Sequence, residues 1–170
     1  MIVAIDTTVL IYVFDQNANA PIDQSTGAPV TDCTQRVDYL IAELTKSNAT
    51  LIVPTPVLAE VLVKAGSAGQ KWLQILEKNR NVRIAPFDTM AAVECSAMAR
   101  QRAATTGNVA REKAKFDEQI VAIGRVNGAT RYLSDDSDIK KLVGSSFNVE
   151  GILDLPLPPI DAQGSLPLPE

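Results

Sequence analysis

The sequence predicts an α/β fold, a parallel and doubly wound sheet flanked on both faces by helices. Three observations carry this. The chain opens on an unbroken apolar run, Met1 to Ile5, of the kind found in strands covered on both sides. Short apolar segments recur at Thr50–Val53, Val82–Ala85 and Thr130–Leu133. Longer segments with helical spacing lie between them, and strands alternating with helices demand crossover connections and a parallel sheet.

The first strand delivers a single carboxylate, Asp6, into the polar step Asp6-Thr7-Thr8, and a helix is expected over Val9–Phe14. Ligands of parallel sheets bind beyond the carboxyl ends of the strands, so Asp6 stands where chemistry is done. The plain alternative is that Asp6 only caps the helix. The stretch Gln16–Thr31 is polar and turn-rich, an exposed loop or insertion. Asp32-Cys33-Thr34-Gln35 has the form of a capping box, and Val37, Leu40, Ile41 and Leu44 follow on one helical face.

After the Thr50–Val53 strand, Pro54-Thr55-Pro56 breaks the chain and starts a helix that runs to Gly66, with Thr55 at the cap and Glu60 one turn in among apolar residues. Burying that carboxylate is costly without a partner, and an ion pair with Lys64 at i, i+4 is the ordinary explanation. Ser67–Lys78 is expected to be helical, with Trp72, Leu73 and Leu76 on its apolar side. Val82–Ala85 is the third strand, and Asp88 caps an alanine-rich helix toward Arg102. Thr105 to Asn108 break that helix.

A further helix, about Val109 to Asn127, carries Phe116, Ile120 and Ile123 on one side with Asp117 beside the stripe. The fourth strand leads at once into Ser134-Asp135-Asp136-Ser137-Asp138, where one acid serves as a cap and three repel. In an extended chain Asp135 and Asp136 point to opposite sides, so only one of the two faces Asp6. Phe147–Val149 is expected as an edge strand. The chain divides into a domain over residues 1–154 and a tail over 155–170, whose five prolines in sixteen residues fit extended polyproline conformation. Leu157, Ile160, Leu166 and Leu168 of the tail are expected to dock on apolar surface of this subunit or a neighbour, with a homodimer as the expected state.

Composition narrows the chemistry. The 170 residues contain no histidine, which removes Ser-His-Asp and Cys-His catalysis and every His-ligated metal site. Cys33 and Cys95 are too far apart in sequence for a metal knuckle and read as free thiols. No run is long enough to cross a bilayer, and the N-terminus lacks a basic region and a cleavage site, so a cytoplasmic protein is expected. A net charge of −4 argues against binding nucleic acid through overall basicity. One local exception is Arg100 to Lys115, where Arg100, Arg102, Arg111, Lys113 and Lys115 face only Glu112. That segment is either a nucleic-acid contact or a solvated face.

A parallel sheet brings Asp6, Glu60 and the Asp135–Asp138 cluster toward one edge. Two unit charges about 5 Å apart repel by about 3 kcal/mol at an effective dielectric near 20, so several such pairs call for a cation. All-oxygen ligands favour Mg²⁺ or Mn²⁺.

These residues resemble the PIN-domain nucleases, and more narrowly the VapC-like toxins of toxin–antitoxin pairs. Asp6-Thr7-Thr8-Val9-Leu10-Ile11 is similar to the family's opening Asp-Thr-Asn/Ser step, with Thr8 at the variable polar position. Thr55 to Leu62 resembles the second motif, with its acid at Glu60, and Phe116 to Ala122 the third, with Asp117. Leu133 to Ile139 resembles the segment Leu-Val-Thr-x-Asp-x-Asp-Phe. This last register puts Asp136 in the fourth acidic position, with Asp138 behind it.

The resemblance covers about Met1 to Val149 and leaves the Gln16–Thr31 loop and the tail unexplained. It implies a PIN-like three-layer fold and Mg²⁺- or Mn²⁺-dependent hydrolysis of RNA. Asp6, Glu60, Asp117 and Asp136 would be the catalytic acids, and Asp6, Asp117, Asp136 and Asp138 the metal ligands. It also implies an antitoxin protein as partner. The competing class is a scaffold of the same fold that binds RNA or protein without cutting. A haloacid-dehalogenase reading fails because Thr8 stands where that chemistry needs a second aspartate.

Overall fold

In the computed structural model, residues 1–106, 111–145 and 147–159 of the chain are described. Five strands form one sheet in the order β3-β2-β1-β4-β5: β1 (Ile2–Ile5), β2 (Thr50–Pro54), β3 (Val82–Ala85), β4 (Arg131–Leu133) and β5 (Asn148–Glu150). Every pairing is parallel. β1 lies in the middle, and from it the chain first builds outward through β2 and β3, then returns to add β4 and β5 on the other side. That reversal opens a crevice at the carboxyl end of β1. Val3, Ala4 and Ile5 are buried, and so are Leu51, Ile52 and Val53 beside them, which is why these runs lack alternation.

Among the described residues seven helices accompany the strands: α1 (Thr7–Leu10), α2 (Cys33–Lys46), α3 (Thr55–Ala65), α4 (Gly69–Lys78), α5 (Thr89–Thr106), α6 (Arg111–Val126) and α7 (Ser137–Val143). The helix expected after Asp6 is a single α turn that tightens into a 3₁₀ turn, Ile11–Val13. The capping box expected at Asp32 does not form. Asp32 takes a left-handed backbone conformation, φ 59°, and its side chain makes no cap bond. Pro54 rather than Thr55 is the N-cap of α3, and the Thr55 hydroxyl instead accepts the Phe87 backbone N–H at 3.3 Å. The start of α4 is delayed by a 3₁₀ turn, Gly66–Ala68, which begins at Gly66 with φ +52°. Asp88 caps α5 as expected, accepting the Ala91 N–H at 2.9 Å.

The Gln16–Thr31 loop holds one antiparallel bridge, Ile22 to Pro29. Beyond β5 a 3₁₀ turn, Ile152–Asp154, carries the chain back onto the core, where Leu155 is 1% exposed. Arg36 of α2 fastens this return by donating to the carbonyls of Leu153 and Leu155. Leu157 is 42% exposed, and Ile160, Leu166 and Leu168 lie outside the described residues. Cys33 and Cys95 are free thiols. Among the described residues no helix is long and apolar enough to cross a membrane.

α6 is pressed tightly onto β4 at one point. A Cβ on Gly124 would stand 2.6 to 2.9 Å from the ring of buried Tyr132, whose hydroxyl donates to the Val121 carbonyl at 3.2 Å. That bond and an edge contact with the Phe147 ring, centroids 6.1 Å apart, hold the buried ring in place. Overpacking costs typically 1–3 kcal/mol against a helix-propensity gain of roughly 1 kcal/mol for replacing glycine. Gly124→Ala is therefore expected to lower the melting temperature by about 2–4 °C, the shift that about 1 kcal/mol produces in a domain of this size. An unchanged or higher melting temperature would mean that the ring yields.

Candidate metal centre

The register Ile5 to Leu133 aligns the tips of β1 and β4, and the Asp6 N–H extends the ladder by donating to the Leu133 carbonyl at 2.9 Å. Asp6 and Ser134 are therefore neighbours just past the strand ends. The Asp6 carboxylate is 6% exposed. Its Oδ2 accepts two hydroxyls, from Thr8 and from Ser134, each at 2.9 Å. Asp6 occupies the N-cap position of α1, yet its side chain makes no cap bond, so capping does not explain it. Burial holds the carboxyl above the usual carboxylate range. The Thr8 and Ser134 hydroxyls and the Thr7 N–H pull it down, and the charge of Glu60 raises it.

The other acids arrive from α3, α6 and α7. Glu60 accepts the Thr7 hydroxyl and, among the described residues, forms no ion pair with Lys64. Asp117, a solvated position on helix statistics alone, is buried. Asp136 caps α7 by accepting the Asp138 N–H at 2.7 Å, and its own N–H donates to the Ser134 hydroxyl at 3.0 Å. Asp138 pairs with Lys141 at 3.0 Å. Each of Asp117, Asp136 and Asp138 offers a carboxylate oxygen within 4.8 Å of the others. Asp6 and Glu60 are not in that trio, but they line the same 370 Å³ pocket as Asp117 and Asp136, together with Thr7, Thr8 and Lys64.

This donor set fits a hard divalent cation. Three carboxylate oxygens within 4.8 Å of one another can converge on one ion, whose opposed Mg–O bonds span roughly 4.2 Å. Oxygen-only ligands favour Mg²⁺, Mn²⁺ or Ca²⁺ over softer metals.

No family model matches the sequence, and no curated protein matches it. Similarity is found among solved structures. A complex of VapBC2 from Rickettsia felis with a DNA fragment from its promoter superposes with a TM-score of 0.61 at 15% identity, over 89% of this chain and 98% of the other. The chain has the PIN-like fold of the VapC toxins. FitAcB from Neisseria gonorrhoeae matches with a TM-score of 0.58 at 18% identity over 90% and 99% of the two chains. Mycobacterium tuberculosis VapC20, a sarcin-ricin loop cleaving toxin, matches at 0.54 and 14% over 82% and 93%.

Within this PIN-like frame the basic segment divides. Arg102 is committed to an ion pair, its Nε 2.6 Å from Glu118, which is 1% exposed. Arg100 is exposed and donates to Ser96, and Lys115 is exposed. The side chains of Arg111 and Lys113 lie outside the described residues. Sequence reasoning missed Thr8 and Ser134 as the holders of Asp6. The signal was present: two hydroxyl residues flank the tips of two strands that must be adjacent for Asp6 and the aspartate cluster to meet. It also missed Lys64 as part of the pocket, although Lys64 lies one helical turn beyond Glu60.

Two outcomes are expected. Because Asp6 has a folded-state pKa above 3.8, the folded protein holds its proton more tightly than the unfolded chain. Stability is then lost as pH rises above 3.8 and through the folded value. Asp6→Asn keeps an acceptor for both hydroxyls and removes the charge, so in EDTA its melting temperature should exceed wild type by a margin that grows from pH 4 to pH 7. Parallel curves would show that the buried charge costs nothing. Separately, Arg102→Ala should destabilise the fold by about 3 kcal/mol, since it strands a buried carboxylate. A normally stable Arg102→Ala protein with weakened RNA binding would reassign this arginine to the substrate.

Proposed function

We propose that this chain is a metal-dependent ribonuclease, the toxin of a toxin–antitoxin pair. The observation that carries the reading is the trio of carboxylate oxygens within 4.8 Å, set beside buried Asp6 at the carboxyl edge of a PIN-like sheet. Asp117, Asp136 and Asp138 would hold Mg²⁺ or Mn²⁺. When bound, the ion would acidify a water and neutralise charge developing on the phosphate.

The chain's own residues do the rest. Thr8 and Ser134 hold the Asp6 carboxylate in one rotamer, and burial makes it a stronger base than an exposed aspartate. In a chain without histidine, Asp6 is the group best matched to accept a proton from the attacking water, with Glu60, aligned by the Thr7 hydroxyl, beside it. Lys64, lining the same pocket, supplies positive charge for a phosphate. Exposed Arg100 and Lys115 extend a path for an RNA strand, which is how a chain of net charge −4 binds a polyanion locally. The likeness to VapBC and FitAcB supports an antitoxin as partner. The alternative remains a non-cleaving scaffold of the same fold.

The deciding experiment is cleavage of a mixed RNA in Mn²⁺ by wild type and three isosteric variants. Asp117→Asn and Asp136→Asn are expected to lose at least about a hundred-fold in rate, and Asp138→Asn about ten-fold, the range for losing a ligand or its support. Wild-type RNA binding with no cleavage in Mg²⁺ or Mn²⁺ would favour the scaffold.

A further inference from the structure

We propose that Phe116 and Trp72 form a two-base stacking clamp that holds the nucleotides on either side of the phosphate at the carboxylates, and so selects unpaired RNA rather than a particular sequence. This rests on the ribonuclease reading and names the class of RNA that the site takes. Phe116 lines the carboxylate pocket and is 49% exposed, although Asp117, the next residue of α6, is buried. A second pocket of about 530 Å³ adjoins the first, since Thr8 and Lys64 line both. Each volume suits a nucleoside. Thr8 is the ridge between the two, fixed by donating to Asp6 and by accepting the Asp135 N–H at 3.0 Å.

Trp72 lines the second pocket. Phe14 stacks on it, with ring centroids 4.7 Å apart and planes 11° from parallel, and does not itself line the pocket. Phe14 therefore backs the indole, and the pocket meets the part of the ring that Phe14 leaves free. Asn17, Asn19 and Pro21 complete the wall. The Gln16–Thr31 loop, which the family resemblance leaves unexplained, thus helps to build this pocket.

Two aromatic side chains with a lysine between them match a strand whose parts run base, phosphate, base. Stacking needs no particular hydrogen-bonding edge, because every base has a π-face. The amides of Asn17 and Asn19 each offer donors and an acceptor, so they do not impose one either. What stacking does require is a base free of its own helix, and an RNA duplex keeps its bases stacked inside. A protein partner would also find aromatic surface here. Lys64 at the junction favours a phosphate over the cationic side chain that the carboxylates would otherwise attract.

Trp72 is the only tryptophan of the chain, so its fluorescence reads occupancy without any cleavage. The full chain, in EDTA at low ionic strength, is titrated with pentauridylate, pentaadenylate, an abasic strand of the same charge and a short RNA duplex. Both single strands are expected to change the signal saturably, with affinities within about ten-fold of each other. The abasic strand and the duplex should bind at least about ten-fold more weakly than either, the effect of losing a stacked base. Phe116→Leu, at an exposed position, should weaken the single strands about ten-fold and leave the response to uridine monophosphate, which occupies one subsite, within about two-fold of wild type. If that variant fails to fold, the wild-type series decides alone.

Equal binding of the abasic strand or of the duplex overturns the proposal, and so does the lack of a response to any RNA. Equal weakening of strand and mononucleotide in Phe116→Leu would leave that ring a structural role and also overturn the clamp. A response to a basic peptide but to no RNA would assign the two pockets to a protein partner. Failure here leaves Mn²⁺-dependent cleavage untouched. Conversely, loss of the cleavage reading with the clamp intact would leave a single-strand binder without a nuclease.

Discussion

The candidate site depends on one junction, where β1 and β4 end side by side and Asp6 meets Ser134. The ladder bond from the Asp6 N–H to Leu133 fixes the tips of these strands against each other. Without it the Ser134 hydroxyl would not reach the Asp6 carboxylate, and a buried carboxylate lacking those two hydroxyls would face its desolvation cost unaided. Ser134 then does a second job by accepting the Asp136 N–H, which starts the turn into α7. A single hydroxyl thus ties the acid of the first strand to the acid after the fourth. The β1 to β4 pairing is also the longest-range strand pairing among the described residues, and it brings Val3, Ala4 and Ile5 against Arg131, Tyr132 and Leu133. The site therefore forms only when the whole domain has folded.

Most of the fold was legible because strand burial and helix spacing are written locally. Val3 to Ile5 and Leu51 to Val53 sit between two layers, so their sequence has no polar alternation to hide them. Helix starts were less legible where a backbone conformation decided the matter. Asp32 has the composition of a capping box, but its backbone is left-handed and its side chain makes no cap bond, and composition does not encode that angle. The early end of α1 is similar: Val9 to Phe14 is apolar enough to continue, and the tightening at Ile11 comes from the surrounding packing.

The acids divide the same way. Asp6 and the aspartate cluster could be placed because they follow strands in a parallel sheet, where topology alone brings strand ends to one edge. Asp117 could not be placed by periodicity, which puts it beside an apolar stripe on a helix that looks solvated. Its burial follows from α6 packing against α3 and α7, a tertiary fact. Only the joint order of four motifs pointed to it. Arg102 shows the opposite failure. Counted in a basic run it reads as a nucleic-acid contact, yet its partner Glu118 lies in the next helix, sixteen residues on, and charge counting within a segment does not see across helices.

Asp135 and Asp136 show how adjacent residues of one type come to differ. Alternation in extended chain sends them to opposite sides, and what waits on each side sets their chemistry. Asp136 meets Asp117 and Asp138, so its charge is one of several and invites a cation. Asp135 meets the Ile152 N–H and the closely approaching Gly151, where a Cβ would stand 2.3 Å from Oδ1. Burial is the first cause that raises its pKa, with the charges of Asp154 and Asp6 adding to it. A divalent ion is reached by the first carboxylate and a hydrogen-bond donor by the second. The same three-aspartate turn, read as one acidic patch, would have been assigned wholly to metal. Read through the pleat, it divides into a charge-collecting side and an acceptor side separated by the single hydroxyl of Thr8.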